Sequence, residues 1–509
     1  MMQSLKLHAA TSEIFQPRSA TILLFVGFSY CLYRTIYNLY FHPLRSIPGP
    51  WIAAISNVPY CWWLLGGRQP YKMLELHYKY GHVVRIAPNE VSFSSAQSLR
   101  DIYGPRPGHK TFTKAEFYGN GQFNGTGVTS LGNERRPDVH KYMRESLASG
   151  FSDRALFEQE RVINTPVDLF IHLVGAKGSL EEGLNMSSTL QSLTFDIAAS
   201  LSFGRTFDSV TREEPDPWLS AALLSLEQAE TADALNRFPI LKHVAPVLMS
   251  RKFKRFTQGT KKFEEFCYNA TQLRIALKTG SKDFLTEIIQ DRDPSVVTDK
   301  HIAAHSSDFI IAGTDTSATS VAAAIYYLLR DPATMSRLTG EVRDAFRRYE
   351  DITFSSTRSL QYLNAVLNEA MRIYPPAPMA PPRHVPEGGD TIDGLFLPQG
   401  VTVSTHPLAA SLTPENFHDP WSFKAERWIQ HDERDKLDSF QPFSIGKRAC
   451  LGRGLAWLEM RIILAKLVWV YDMELVNTSL DWHRDSLMHG LWQRPDLMVR
   501  AKNRGVNIP

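Results

Sequence analysis

The run Asp308–Leu329, DFIIAGTDTSATSVAAAIYYLL, does most to limit what this chain can become. Across His301–Arg330 apolar residues fall on every side of a helical wheel, a pattern suited to the middle of a large protein or to a membrane. Gly313, Thr314, Asp315 and Thr316 sit halfway along, and a lipid-exposed span does not welcome a carboxylate there. The segment therefore predicts a long core helix. A chain of 509 residues with 43% hydrophobic composition can bury one. Apolar spacing at i, i+3 and i+4 predicts further helices over 139–149, 185–204, 257–275, 332–349, 361–373 and 453–470. Strand signals are few. HVVRIAPNEVSF (82–93) reads as a hairpin about a Pro-Asn turn, and 381–405 turns β-like again. The fold class is mainly α with a small β region. No repeat or low-complexity linker divides the body from Trp51 to Pro509, which reads as one domain.

Before that body, residues 1–18 form a tail, and SATILLFVGFSYCLYRTIYNLYF (19–41) is expected to be a retained transmembrane signal anchor. Arg34 and Asn38 lie near one end, where they can snorkel, and no small-residue cleavage site follows Tyr33. HPLRSIPGP (42–50) reads as a stiff, extended hinge, because Pro48 and Pro50 fix φ and lack a donor. Residues 108–138 are rich in Gly, Asn, Thr and Ser, and are either a lid over an entrance or an ordinary surface loop. The stretch 411–442 is a meandering loop that leads into a second informative motif.

That motif is FSIGKRACLG (443–452). The cysteines, Cys31, Cys61, Cys267 and Cys450, are far apart and form no CxxC pair, which argues against a disulfide scaffold or a zinc knuckle. Near-balanced charge, 56 Lys+Arg against 53 Asp+Glu, argues against a nucleic-acid binder. Cys450 is left as a thiolate ligand or as an inert buried filler. Gly446 and Gly452 allow tight turns and close approach to a flat ligand. Arg448 and a helix starting near Leu455 both favour the anion.

The spacing Phe443-x-x-Gly446-x-Arg448-x-Cys450-x-Gly452 resembles the haem-binding loop of the cytochrome P450 family and matches it at each of those positions. The resemblance implies the P450 fold, with one haem domain behind the anchor. It makes Cys450 the proximal iron ligand, Phe443 a cover for the sulfur and Arg448 a partner of a haem propionate. AGTDT (312–316) then supplies Thr316 and Asp315 to steer protons during dioxygen reduction, over a widened helical turn at Ala312–Gly313. The plain alternative is a threonine that bonds its own i−4 carbonyl. His140 and Arg144, spaced i, i+4, and Arg383 match further propionate partners; an exposed amphipathic helix is the alternative for the first two. Glu369, Arg372 and Arg427 match a buried structural triad, although Ala425 stands where the family has proline. Phe309, Ala312, Ala377–Pro382 and the turn near Leu491 match the lining of the substrate pocket.

YFHPLRSIPGP (40–50) and GLAWLEMRIILAKLVW (454–469) look most like fungal members that act in secondary metabolism. The implied activity is monooxygenation of an apolar small molecule by a monomer on the endoplasmic reticulum membrane, its body facing the cytosol. No nucleotide-binding glycine motif appears, so electrons would come from a separate NADPH–cytochrome P450 reductase. Lys141, Lys447 and Arg453 could receive it, or could simply be a solvated basic face. A haem-thiolate isomerase or dehydratase and a non-catalytic haem binder stay open as alternatives. Of the N-x-S/T sites at Asn124, Asn185, Asn269 and Asn477, none is expected to carry a glycan.

Overall fold

The computed structural model describes residues 17–120, 127–212, 217–239, 249–277, 283–430 and 432–509, with single positions 241, 244 and 247 between them. The tail up to residue 16, and 121–126 of the Gly-rich segment with its Asn124 site, lie outside the described residues.

The helices that position the site are α1 (Pro17–Ile36), α2 (Pro137–Ala148), α3 (Glu160–Lys177), α4 (Met186–Phe203), α5 (Pro217–Asn236), α6 (Ser250–Ala276), α7 (Asp299–Arg330), α8 (Gln361–Ile373) and α9 (Arg453–Val470). The long apolar segment is α7. Thr298 starts it with a reciprocal cap to His301, and most of its residues from Ile302 to Leu328 are buried. Helices α4, α6, α8 and α9 pack around it. Asn185 opens α4, its carboxamide oxygen accepting from the Ser187 and Ser188 amides at 3.1 and 3.4 Å. Gly204 closes α4 at φ +68°, a left-handed stop that a glycine adopts without strain. Periodicity missed α3, which carries Pro166 inside, and α5, whose apolar residues are spread around the helix rather than gathered on one stripe.

Among the described residues a five-stranded sheet runs β1 (Val83–Ala87), β2 (Glu90–Phe93), β5 (Thr402–Thr405), β4 (Arg383–His384), β3 (Thr113–Lys114). The predicted hairpin is β1–β2, with a bulge between Arg85 and Ala87. The register of β3 on β4 sets Lys114 directly opposite Arg383. At the C-terminal end β6 (Leu487–His489) and β7 (Leu491–Gln493) form a hairpin turned by Gly490 at φ +77°.

Helix α1 begins two residues before the expected anchor, covers it as far as Ile36, and leaves Ile22, Leu24, Phe25 and Phe28 exposed. Ser19, Thr21, Ser29 and Arg34 dilute it, and no helix among the described residues is long and apolar enough to cross a membrane. Residues 42–50 are not the extended spacer that the prolines suggest. They fold as turns, with the Arg45 amide on the His42 carbonyl at 3.0 Å and the Ile47 amide on Leu44 at 3.1 Å. The reason is apolar burial: Leu44 and Ile47 enter the core beside Val91 and Phe93. Gly49 is pressed so closely on β1 that an added Cβ would lie 2.3 Å from the Arg85 carbonyl oxygen.

Candidate active site

Cys450 sits at the end of a loop drawn tight by its own amide, which donates to the Phe443 carbonyl at 2.8 Å. Gly446 takes φ +74°, and a Cβ there would come within 2.2 Å of the Tyr103 carbonyl oxygen. Its glycine is demanded by that backbone crossing and not by a ligand. Gly452 caps α9, which spans Arg453–Val470 as the apolar spacing predicts. A Cβ on Gly452 would meet nothing within 4 Å. Cys450 itself is exposed, yet burial pushes its thiol up against the opposing pull of the Gly452 amide, Arg144 and Arg453. The residue is thus exposed while its sulfur is flanked by the cations Arg144 and Arg453. Phe443 lies beside Trp457, ring centroids 6.2 Å apart, with Arg453 over its face.

The middle of α7 borders the same region, since Phe309 of α7 and Leu451 join one apolar cluster. Ala312 is exposed although Ile310, Thr314 and Asp315 around it are buried, so this single face of the core helix opens onto space. The widened turn expected at Ala312–Gly313 is not present: α7 is continuous through it. Thr316 Oγ1 donates to the Ala312 carbonyl at 2.7 Å, which keeps that oxygen satisfied inside the helix. The lone pairs of the hydroxyl are left to accept. Asp315 is committed elsewhere. Its Oδ1 accepts from Arg494 Nη1 at 2.8 Å and from Gln191 Nε2 at 2.7 Å, while Oδ2 has no partner. Phe309, expected in the pocket wall, packs on Phe151 and Phe284 at 5.2 and 5.5 Å. Ala377 is exposed, and Met379 to Pro382 are half-buried.

The expected propionate partners converge and gain a member that sequence reading missed. His140, Arg383 and Lys114 are buried, and Arg144 and Arg448 are half-buried. Burial first, then the charges of Arg448, Lys114 and Arg144, push His140 down to about 3. Burial followed by Arg448 and Arg383 pushes Lys114 down to about 7. Like charges set opposite each other across strands, as Lys114 and Arg383 are, destabilise a sheet unless an anion lies between them. The arginines meanwhile rest on carbonyls: Arg448 on Glu134 and Arg135 at 2.7 and 2.9 Å, Arg144 on Ala449 at 2.7 Å, Arg383 on Pro382 at 3.0 Å. This excess of buried cations beside an accessible cysteine fits a flat ligand with two carboxylates, as haem is. Lys114 carried no signal of its own, being one lysine in a loop read as a lid.

On α8, Glu369 binds Arg372 through two bonds of 2.8 Å and Arg427 Nε at 3.2 Å, with the Lys424 amide and Trp428 Nε1 completing its shell. Ala425 is buried there, so the absence of proline leaves the triad intact.

Comparison with known proteins agrees with this geometry. The family model described as Cytochrome P450 matches residues 48–499. Cytochrome P450 monooxygenase ORF11 of Penicillium roqueforti is 44% identical over 453 residues, 89% of this chain and 93% of the relative. Cytochrome P450 monooxygenase BipB of Cochliobolus sativus is 41% identical over 476 residues, 92% and 94% of the two chains. Cytochrome P450 monooxygenase aclL of Aspergillus oryzae is 36% identical over 474 residues, covering 92% and 95%.

Proposed function

The chain belongs to the cytochrome P450 family, whose members bind haem iron through a cysteine thiolate and incorporate oxygen from O2, and from that premise we propose that it oxygenates an apolar small molecule, an intermediate of secondary metabolism, with electrons from a separate NADPH-dependent reductase. The observation that carries this reading is the exposed Cys450, whose neighbour Leu451 packs in the same apolar cluster as Phe309 of α7, with Arg144 and Arg453 close to its sulfur and the buried Lys114 and Arg383 crowded beside Arg448.

When bound, haem supplies the oxidising chemistry, and a thiolate ligand favours O–O cleavage by pushing electron density onto iron. The chain's own residues do the rest. Cys450 Sγ is the ligand; Lys114, His140, Arg144, Arg383 and Arg448 would hold the propionates, and Phe443, Gly446 and Gly452 shape the loop. Thr316, whose hydroxyl donates to the Ala312 carbonyl, would accept a hydrogen bond at Oγ1 and pass its own proton inward on turning from that carbonyl. Asp315 stands one residue away, held by Arg494. Ala312, Ala377 and the Leu491 turn supply apolar surface that orients substrate and excludes water.

Membrane attachment belongs to the same reading. Helix α1 by itself falls short of a membrane span, but it presents Ile22, Leu24, Phe25 and Phe28 to the outside and runs on into the exposed Tyr40 and Phe41. With Tyr37–Phe41 it forms an N-terminal anchor in the endoplasmic reticulum membrane, the body facing the cytosol. Lys141, Lys447 and Arg453, all exposed, are where an acidic reductase face would dock.

The test is the carbon monoxide difference spectrum of the reduced protein beside Cys450→Ala. A red-shifted Soret band in the first, absent from the second, is expected; a well-folded, haem-loaded wild type without it overturns the reading. Turnover that needs no reductase would turn the assignment to an isomerase or dehydratase. Carbonate extraction that releases the full chain from membranes would remove the anchor.

A further inference from the structure

A continuous group of oxidisable side chains runs from the α7 region to the surface. At its inner end Tyr374 stacks on Trp492 at 4.6 Å, and Trp492 stands on the strand that runs from the Leu491 turn towards Arg494, which bonds Asp315 of α7 at 2.8 Å. His483 comes next, its ring centroid 5.5 Å from Tyr374. Two phenols share that imidazole, Tyr327 on Nε2 at 2.7 Å and Tyr71 on Nδ1 at 3.2 Å. Trp421 meets the other side of His483 at 5.1 Å and is 45% exposed. Its indole donates to the Tyr78 hydroxyl at 3.1 Å, and Tyr78 is equally exposed. Packing alone explains aromatic rings in a core. It does not call for a neutral base bonded to two phenols, nor for a chain that ends at an open indole.

We propose that Tyr374, Trp492, the Tyr327–His483 pair and Trp421 form a protective electron path that discharges an oxidising equivalent stranded in the active site when no substrate is there to receive it. The path rests on the oxygenase reading, which supplies the oxidant. In each pass the Tyr327 phenol gives one electron inward and its proton to His483 Nε2. Trp421 then returns an electron to the tyrosyl radical, the proton goes back from His483, and a solvent thiol refills the Trp421 radical cation. Two passes reduce a hydroperoxide to an alcohol and water, taking up two electrons and two protons, while two thiols become one disulfide and release two protons. Burial keeps His483 neutral, with its basicity pushed down to about 4, so it has a lone pair to take the proton. Tyr327 is favoured over Tyr71 for a physical reason: the Arg68 guanidinium lies 4.0 Å over the Tyr71 ring and opposes removal of an electron from it.

The experiment treats the haem-loaded, substrate-free enzyme with cumene hydroperoxide and reads freeze-quench electron paramagnetic resonance and peptide mass maps. Wild type is expected to give an aromatic radical signal that glutathione quenches, with oxidised tryptophan at Trp421. Tyr327→Phe, which keeps the ring stacked on Phe423, lowers Trp421 oxidation several-fold, and Tyr71→Phe does not. Trp421→Phe, a surface change, prolongs the radical and slows its quenching by thiol. Equal Trp421 oxidation in wild type and Tyr327→Phe overturns the path, as does a loss in Tyr71→Phe equal to that in Tyr327→Phe. The carbon monoxide band is recorded on every sample: oxidation confined to cavity residues with the band intact overturns the path alone, while a missing band overturns the oxygenase reading with it.

Discussion

Glu369 takes both the Nε and the Nη2 of Arg372 at 2.8 Å, in a place where neither side chain has any solvent exposure. A buried pair of this kind adds little net stability, but removing one member strands the other. Glu369→Leu, which leaves Arg372 and Arg427 without their shared carboxylate, is expected to cost about 3–5 kcal/mol. Urea unfolding, with the midpoint lowered at unchanged slope, is the measurement.

Arg494 and Asp315 form a second such pair, 3% and 1% exposed. Arg494→Leu destabilises by a similar amount, about 3–5 kcal/mol, because Asp315 keeps only Gln191. The double change Asp315→Leu with Arg494→Leu recovers most of that loss. Full additivity of the two single effects would show that they are not coupled.

Thr316→Val removes the hydroxyl and keeps the shape. Product formation is expected to fall on the order of 10²-fold with the carbon monoxide band unchanged, and Thr316→Ser restores most of it. Unaltered product yield per NADPH in the valine variant would take the proton role from Thr316.

Lys114→Met removes one of the cations crowded around Arg383 and Arg448. Without haem this relieves repulsion and raises the melting temperature of the cofactor-free protein. With haem it removes a charged partner, and transfer to a haem-scavenging protein is expected to run about tenfold faster. Opposite signs in the two forms are the diagnostic outcome.

Glu459 on α9 is buried, and burial pushes it up to about 8 against the opposing pull of Ser317. The native state therefore holds this proton where the unfolded chain has lost it. Its contribution is fully present below about pH 4.5 and is lost as pH rises through about 8. Glu459→Gln should flatten that decline and be the more stable variant at pH 8–9, measured by chemical unfolding across pH.

Local chemistry was legible where it is written in contiguous residues. The all-round apolarity of 308–329 led to α7, and the glycine spacing about Cys450 led to the thiolate loop, because both patterns depend on neighbours a few positions apart. Where several weak preferences compete, periodicity fell short. Helix α3 persists around Pro166 because its buried face packs on α4. Residues 42–50 fold back because Leu44 and Ile47 find an apolar core by β2. Lys114 becomes a site residue only when a two-residue strand lays it opposite Arg383, more than two hundred and fifty positions away along the chain. The commitment of Asp315 to Arg494 has the same origin. Sequence by itself thus determined which groups are present, their local spacing and the class of chemistry. The tertiary structure alone decided which charges meet and which side chains lose water, since electrostatics and burial depend on distance through space and not along the chain.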